Sequence, residues 1–350
     1  MIIHLDSTGT FRIDQIKSAY LGKVQACFDM AFLLKEARTL CYSEPWSLPG
    51  WLPNIVTWIL NYFPGTRSIS QVRVCPNGAV LKIEAIDRNH FLKAQSDPLG
   101  YESELLRVLN QRIPGACPVI LPITPNPSSH VTEAVQGAPI TQTGWAVALR
   151  DVARIQIESI GLVSRLDRAG VPHHNLQDIA SCTEQTLNRL VDTQIGSANE
   201  LTGEELKQIP SLSQKAAQDF ESLCRSDLPE TLVHGDLNPS NAFRTVSGTA
   251  LVDWALSRIT HPFFILASAL FARYGRDDDR YHELCNVYLE PWRDFESGGR
   301  IEMALDAASR LFWIDSAIAM SLLCHNGHTR NLMNLPRFLR GALRAYGLIH

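Results

Sequence analysis

Apolar positions change their spacing twice along this 350-residue chain. From Ile13 to Leu40 they recur at mixed helical spacing, until Pro45, Pro49 and Gly50 interrupt them. In Pro53 to Phe63, Ile55, Trp58, Ile59 and Tyr62 fall on one helical face, and Pro64-Gly65 closes the segment. Residues 1–64 therefore read as a mainly helical N-terminal extension. The texture then becomes strand-like. Ser68 to Val74 and Ala79 to Ile86 read as two strands joined by the turn Cys75-Pro76-Asn77-Gly78. After a second turn, Asp87-Arg88-Asn89, His90 to Gln95 reads as a third strand. Tyr101 to Gln111 returns to helical spacing through Leu105, Leu106 and Leu109, and His130 to Ala134 offers one more strand. Residues 65–134 thus read as a small sheet with one helix.

From Trp145 onward helical spacing dominates, with candidates at Trp145 to Ala169, Leu176 to Thr193 and Leu212 to Cys224. One break interrupts it: Leu232 to Asp253 reads as a loop followed by a hairpin. Its arms are Asn241 to Arg244 and Thr249 to Val252, turning at Ser247-Gly248. Helices resume and end in the Arg-spaced stretch Leu335 to Tyr346. Strands first and helices later predict an α+β protein, with 135–350 as the helical part.

Composition narrows the function classes. Apolar residues make up 45% and charged residues 19%, which suits a globular chain. The net charge of -4 and the lack of a Lys/Arg cluster argue against a nucleic-acid partner. The eight cysteines are scattered, with no CxxC pair, as expected of thiols in a reducing cytoplasm. The N-terminus lacks signal-peptide features, and the longest apolar stretch, Pro262 to Ala272, is too short for a bilayer. A cytoplasmic protein without a membrane partner, monomeric or homodimeric, is the expectation.

The densest chemistry lies in LVHGDLNPSNAF, Leu232 to Phe243. Asp236 and Asn241 stand five apart, the D-x-x-x-x-N spacing of kinase catalytic loops, and Asp253 follows Asn241 by twelve residues. Phosphoryl transfer needs a carboxylate to orient the acceptor hydroxyl and take its proton. It also needs oxygen ligands for the magnesium that bridges nucleotide phosphates. A turn rich in Asp, Asn and Pro needs no such explanation by itself. His-Gly before it, Pro-Ser within it and LVDW after it make the pattern specific.

These residues resemble the aminoglycoside phosphotransferase and choline kinase-like family of small-molecule kinases. His234-Gly235-Asp236-Leu237 with Asn241 matches its HGDLxxxN loop, and Leu251-Val252-Asp253-Trp254 its later aspartate. The resemblance implies a protein-kinase-like two-lobed fold, with a small antiparallel-sheet N-lobe and a mostly helical C-lobe. It implies ATP and Mg2+ as cofactors and a small-molecule hydroxyl as acceptor. By the same resemblance, Asp236 is the catalytic base, Asn241 and Asp253 are magnesium ligands, and His234 pins the loop. Many members carry a Gly and a second Asp soon after, where this chain has Ser257 to Phe264. That difference sets it apart from a typical antibiotic-resistance enzyme while removing no group needed for transfer.

The family's ATP-positioning lysine sits on the third strand of its sheet and pairs with a helix glutamate. Here Lys82 and Lys93 both lie on strands; Lys93, on the third, is assigned that role, with Glu102 as partner and Glu104 in reserve. Gly78 stands in the turn where a phosphate-covering loop belongs, although an ordinary hairpin turn accounts for it equally. Thr132, Glu133 and Ala134 occupy the linker, where backbone groups would read adenine. An alternative is a non-catalytic kinase-like protein that binds nucleotide and acts as a regulator or scaffold, a class that usually loses the lysine, the base or the metal aspartate. His173-His174 and Asp277-Asp278-Asp279 read as solvated turns.

Overall fold

A computed structural model describes residues 2–5, 11–14, 44–48, 50–75, 77–126, 129–197, 199–271, 273–274, 278–296, 299–324 and 335–349. The chain divides into two compact units, Met1–Ser103 with Pro118–Ala134, and Glu104–Cys117 with Val135–His350.

The first unit is built on six antiparallel strands: β1 (Ile2–Leu5), β2 (Phe11–Asp14), β3 (Thr66–Cys75), β4 (Gly78–Ala85), β5 (Asn89–Gln95) and β6 (Ser129–Glu133), in the order β2-β1-β3-β4-β5-β6. Period-two alternation decides what each face carries. Leu81 and Ile83 of β4, Leu92 of β5 and Val131 of β6 turn to one face. There they pack against Ile55, Val56, Ile59 and Phe63 of the helix Trp51–Tyr62. Full burial of each such side chain contributes about 1.5–3 kcal/mol, so this cluster is what makes the sheet and the helix one body. The helix begins two residues before the predicted start, at Trp51.

The N-terminal residues depart from expectation. Ile2–Leu5 is a strand paired with Ser68–Ser70, through His4 opposite Ser68, and Phe11–Asp14 continues the sheet beyond it. Ile13 and Asp14, expected to open a helix, are strand residues; Gln15 to Leu40 lies outside the described residues.

The second unit is largely helical. The helix Trp145–Ser159 buries Trp145, Leu149, Val152 and Gln156 along one side, the i, i+4, i+7, i+11 stripe its sequence shows. Gln156 is the polar member of that stripe. Its amide donates to Thr231 Oγ1 (3.2 Å) and Pro262 O (3.1 Å), and its Oε1 accepts from Tyr288 O–H (2.7 Å). A buried amide unpaired on even one side costs about 1–3 kcal/mol; here three elements meet on one side chain. The predicted helix over Leu176 to Thr193 is two, Leu176–Ser181 and Thr183–Gln194, separated at Cys182. Strand β8 (Thr231–Val233) pairs with β11 (Arg258–Thr260). β7 (Ala138–Pro139), β9 (Ala242–Thr245) and β10 (Gly248–Leu251) form a second small sheet in the order β10-β9-β7.

His173 and His174 are not a solvated turn. His174 is buried beside Asp315 (Nδ1 to Oδ1, 3.1 Å). His173 lies between Asp167 (3.0 Å from Nδ1) and Glu230 (2.8 Å from Nε2), just ahead of β8. Burial works against a charge on His173, but the hydrogen bond and field of Glu230, joined by Asp167, outweigh it and raise its pKa. A raised folded-state pKa contributes stability that is complete below the unfolded value of 6.5 and is lost as pH rises through the folded value. His173→Gln is therefore expected to lower the thermal midpoint at acidic pH and to converge on the parent protein at alkaline pH. Midpoints measured from about pH 5 to 8 check this; a constant offset would contradict it. Of the predicted acidic turn, Asp277 lies outside the described residues, and Asp278 caps the helix Asp279–Leu289 by accepting from the Arg280 N–H (2.8 Å).

Candidate active site

In the first unit, Lys82 and Lys93 both project from the sheet face opposite Leu81 and Leu92, so strand register alone does not separate them. Their partners do. Lys82 pairs with Glu84 two residues along its own strand, both partly exposed. Lys93 reaches Glu102 at the start of the helix Glu102–Arg112, with Nζ 2.7 Å from Oε2 and 3.1 Å from Oε1. Glu102 is 2% exposed and also accepts from Gln95 Nε2 at 2.5 Å. Two donors on a buried carboxylate fix the ammonium's position, which a surface pair does not. Glu104 instead pairs with Arg107 at the surface.

Gly78 opens β4. A Cβ there would sit 2.7 Å from the Ala94 carbonyl oxygen, so close strand packing by itself accounts for a glycine. Thr132 and Glu133 belong to β6, paired opposite Phe91 and His90. The Glu133 N–H donates to Val119 O (2.9 Å) and the Ala134 N–H to Asn89 O (2.8 Å). Both amides are thus hydrogen-bonded within the first unit.

In the second unit the loop after β8 is over-determined. Gly235 has φ of 83°, and a Cβ there would lie 2.0 Å from Leu256 O; no other residue type passes. His234 is fully buried. Its Nε2 donates to Val252 O (3.0 Å), which leaves Nδ1 to accept from the Asp236 N–H (3.3 Å). Those two bonds require the neutral Nε2–H tautomer. Trp254 lies against the ring, centroids 4.7 Å apart, and donates its own N–H to Leu251 O (2.8 Å).

Asp236 is held at both oxygens. Asn238 Nδ2 donates to Oδ1 (3.2 Å) and Asn241 Nδ2 to Oδ2 (3.1 Å), and both amides also donate to the Asp236 backbone carbonyl (3.0 and 2.9 Å). Asn238, missed in the sequence, thus mirrors Asn241. It also organises the turn, its Oδ1 accepting from the Ser240 N–H (3.0 Å). The signal was present as a second Asn two residues after the Asp, a usual Asx-turn spacing.

The hairpin closes onto this loop. The Val252 N–H donates to Asn241 O (2.9 Å) while its carbonyl accepts from His234. Val252 is therefore gripped on both sides, and the backbone leading into Asp253 is tied to the loop that carries Asp236 and Asn241. Asp253 takes φ 65° and ψ 63°, the sole non-glycine in the left-handed region among the described residues. Such a backbone state costs about 1–3 kcal/mol and persists where surrounding contacts over-determine it.

The donor set suits a hard cation. Asn241 turns Nδ2 toward Asp236, which leaves Oδ1 as its metal-capable atom, and Asp253 supplies a carboxylate. Among the described residues no group of three or more His, Cys, Asp or Glu side chains could hold a metal ion by itself. Two oxygen donors without a full cage fit magnesium, which keeps waters and takes its remaining ligands from phosphates.

One sequence profile, described as the phosphotransferase enzyme family, matches residues 81–298. The chain belongs to that family. The match spans more than half of the sequence and includes Lys93, Glu102, the 234–241 loop and Asp253. No curated protein sequence matches the chain. Among solved structures, the macrolide 2′-phosphotransferase of Brachybacterium faecium superposes with TM-score 0.55 at 14% identity, covering 81% of this chain and 97% of that one. The aminoglycoside phosphotransferase APH(2″)-Ib, solved with ADP bound, gives 0.55 at 12% identity over 85% and 99%. Choline kinase from Cryptosporidium parvum gives 0.54 at 14% over 84% and 95%. At these identities the likeness shows the fold, which is protein-kinase-like. Among the described residues no helix of this phosphotransferase is long and apolar enough to cross a membrane.

Proposed function

We propose that this phosphotransferase moves the γ-phosphoryl group of ATP to a hydroxyl of a small molecule, with magnesium. The observation that carries the reading is the double amide clamp on Asp236 from Asn238 and Asn241. A carboxylate held at both oxygens is pre-oriented to accept one proton. In the transfer, the acceptor oxygen forms a bond to the γ-phosphorus, the bond from phosphorus to the ADP oxygen breaks, and the hydroxyl proton goes to Asp236. Asn241 Oδ1 and the Asp253 carboxylate would hold magnesium, which would supply positive charge to neutralise the nucleotide phosphates. Lys93, fixed by Glu102, supplies a further positive charge for phosphate. Catalysis is then positioning and electrostatics.

The acceptor is a metabolite, a sugar alcohol, an amino alcohol or an antibiotic. From Arg258 to His350 the sequence has eleven arginines against ten acidic residues and no lysine. Asp315, Asp306, Glu296, Glu290 and Glu283 each pair with an arginine. That pairing gives no bias toward a polycationic acceptor.

An ATP-consumption screen over hydroxylated small molecules, with Asp253→Ala as the blank, tests the reading. Magnesium-dependent consumption that requires one acceptor and vanishes in the blank is the expected result. ATP binding without consumption for every acceptor would favour a nucleotide-binding regulator instead, and a signal surviving in the blank would locate the chemistry elsewhere.

A further inference from the structure

Gly235 is threaded past the Leu256 carbonyl with no room for a methyl group. The position of that carbonyl therefore sets the path of the loop that carries Asp236. Leu256 O accepts from Arg258 Nη1 (3.3 Å). Arg258 is buried and stands opposite Val233 in the β8–β11 ladder, one residue before His234. The neighbouring Ser257 hydroxyl donates to His234 O (3.4 Å), a second tie from the same segment.

Arg258 is itself immobilised. Its Nε lies 3.2 and 3.0 Å from the two oxygens of Asp315, and its Nη2 also donates to Asp315 Oδ2. Asp315 projects from the helix Gly299–Cys324 and is 1% exposed. Burial alone would raise its pKa; Arg258 and then His174 overcome this and hold the carboxyl at about 2. His174 is fixed in turn by its backbone N–H donating to Ile259 O (2.8 Å), while Ile259 N–H donates to Pro172 O (2.8 Å). The chain of contacts runs from the helix through Asp315 and Arg258 to Leu256 O, and from there to Gly235 and Asp236. Nothing in the transfer chemistry needs a buried guanidinium, and an ion pair out of water is weak support for stability.

We infer that Arg258, anchored by Asp315 and His174, is a positioning residue: it fixes the Leu256 carbonyl against Gly235 and so sets the geometry of the Asp236 loop. This rests on the proposed role of Asp236 for its effect on turnover, but not for its effect on the loop. A misplacement of about 1 Å at a reacting group costs on the order of 100-fold in rate. A guanidinium can serve Asp315 and Leu256 O together because its donors form a rigid fork, which a lysine lacks.

The test is the double variant Arg258→Met/Asp315→Leu, in which apolar groups of similar size replace the buried pair; such exchanges are often neutral for stability. Amide hydrogen exchange is compared with the parent protein in two segments, 234–241 and the helix Trp145–Ser159. The expected result is exchange at least ~10-fold faster in 234–241 with the helix unchanged. Turnover is expected to fall roughly 10–100-fold, with KM for ATP within about twofold. Equal acceleration in both segments, or no change in 234–241, overturns the inference. Should the double variant not fold, Arg258→Lys, which keeps the charge pair but lacks the fork, is read by the same two segments. If the parent protein consumes no ATP with any acceptor, the functional reading fails, and the exchange comparison still decides the brace.

Discussion

Asp236→Ala is expected to lose roughly 10²–10⁴-fold in turnover, the usual contribution of a positioned general base, while nucleotide binding is kept. The split follows from what the side chain touches. Its oxygens are engaged by Asn238 and Asn241, so the loop presents one oriented carboxylate. The magnesium ligands proposed for the nucleotide are other residues, Asn241 and Asp253. Asp236→Asn is the sharper comparison, because it keeps the shape and removes the proton acceptor; its rate is expected to fall nearly as far. Steady-state turnover at saturating ATP, paired with a calorimetric nucleotide titration, checks both parts. Turnover near that of the parent protein would end the assignment of Asp236 as base. Equal loss of turnover and binding would point to a collapsed loop.

Asp253→Gly is expected to move activity and stability in opposite directions. Turnover should fall by roughly 10²-fold or more, because the carboxylate proposed to hold magnesium is gone. Stability should rise. Holding a non-glycine residue at φ 65° costs about 1–3 kcal/mol, whereas a glycine adds only about 0.5–1 kcal/mol of backbone entropy loss on folding. The difference favours the variant by about 1 kcal/mol. Asp253→Ala loses the same carboxylate without relieving the backbone, so it is expected to be inactive and no more stable than the parent. Denaturant midpoints of the three proteins test the sign. A glycine variant less stable than the alanine variant would show that the backbone at 253 is unstrained, and one more stable than alanine but less stable than the parent would show that the carboxylate stabilises the fold.

The two variants isolate different properties of one loop. Asp236 is an ordinary residue in an engineered surrounding: its backbone is unremarkable, and neighbouring amides orient its side chain. Asp253 is the reverse, with its backbone forced by the grip of His234 and Asn241 on Val252. Strain of this kind at a functional position is the usual cost of aiming a charge, and it is a target for stabilising substitutions that abolish activity.

What the sequence determined by itself was local. The 236–241 spacing, the hairpin after it and the first part of the helix expected over Trp145 to Ala169 were legible because turns and amphipathic stripes are written in consecutive residues. That helix ends at Ser159 and gives way to the turn Ile160–Leu162 and a short helix Val163–Arg168. The preference for Lys93 over Lys82 followed from chain order, since a third strand leading into a helix brings its lysine near that helix's first turn. What the tertiary structure decided were partners distant in the chain. Ile2–Leu5 became a strand because residues near Ser68 offered it an edge, and local propensity carries no record of such a partner. Arg258 and Asp315, 57 residues apart, carried no local signal of a partnership; the fold paired them and removed both from water. His174 changed in the same way, and Gln156 acquired Tyr288 across 132 residues. The left-handed backbone of Asp253 likewise has no local cause; it exists because two remote groups hold the preceding peptide. Backbone preferences act over a few residues and are encoded in them, whereas burial and pairing depend on which surfaces meet, a property that appears when the whole chain folds.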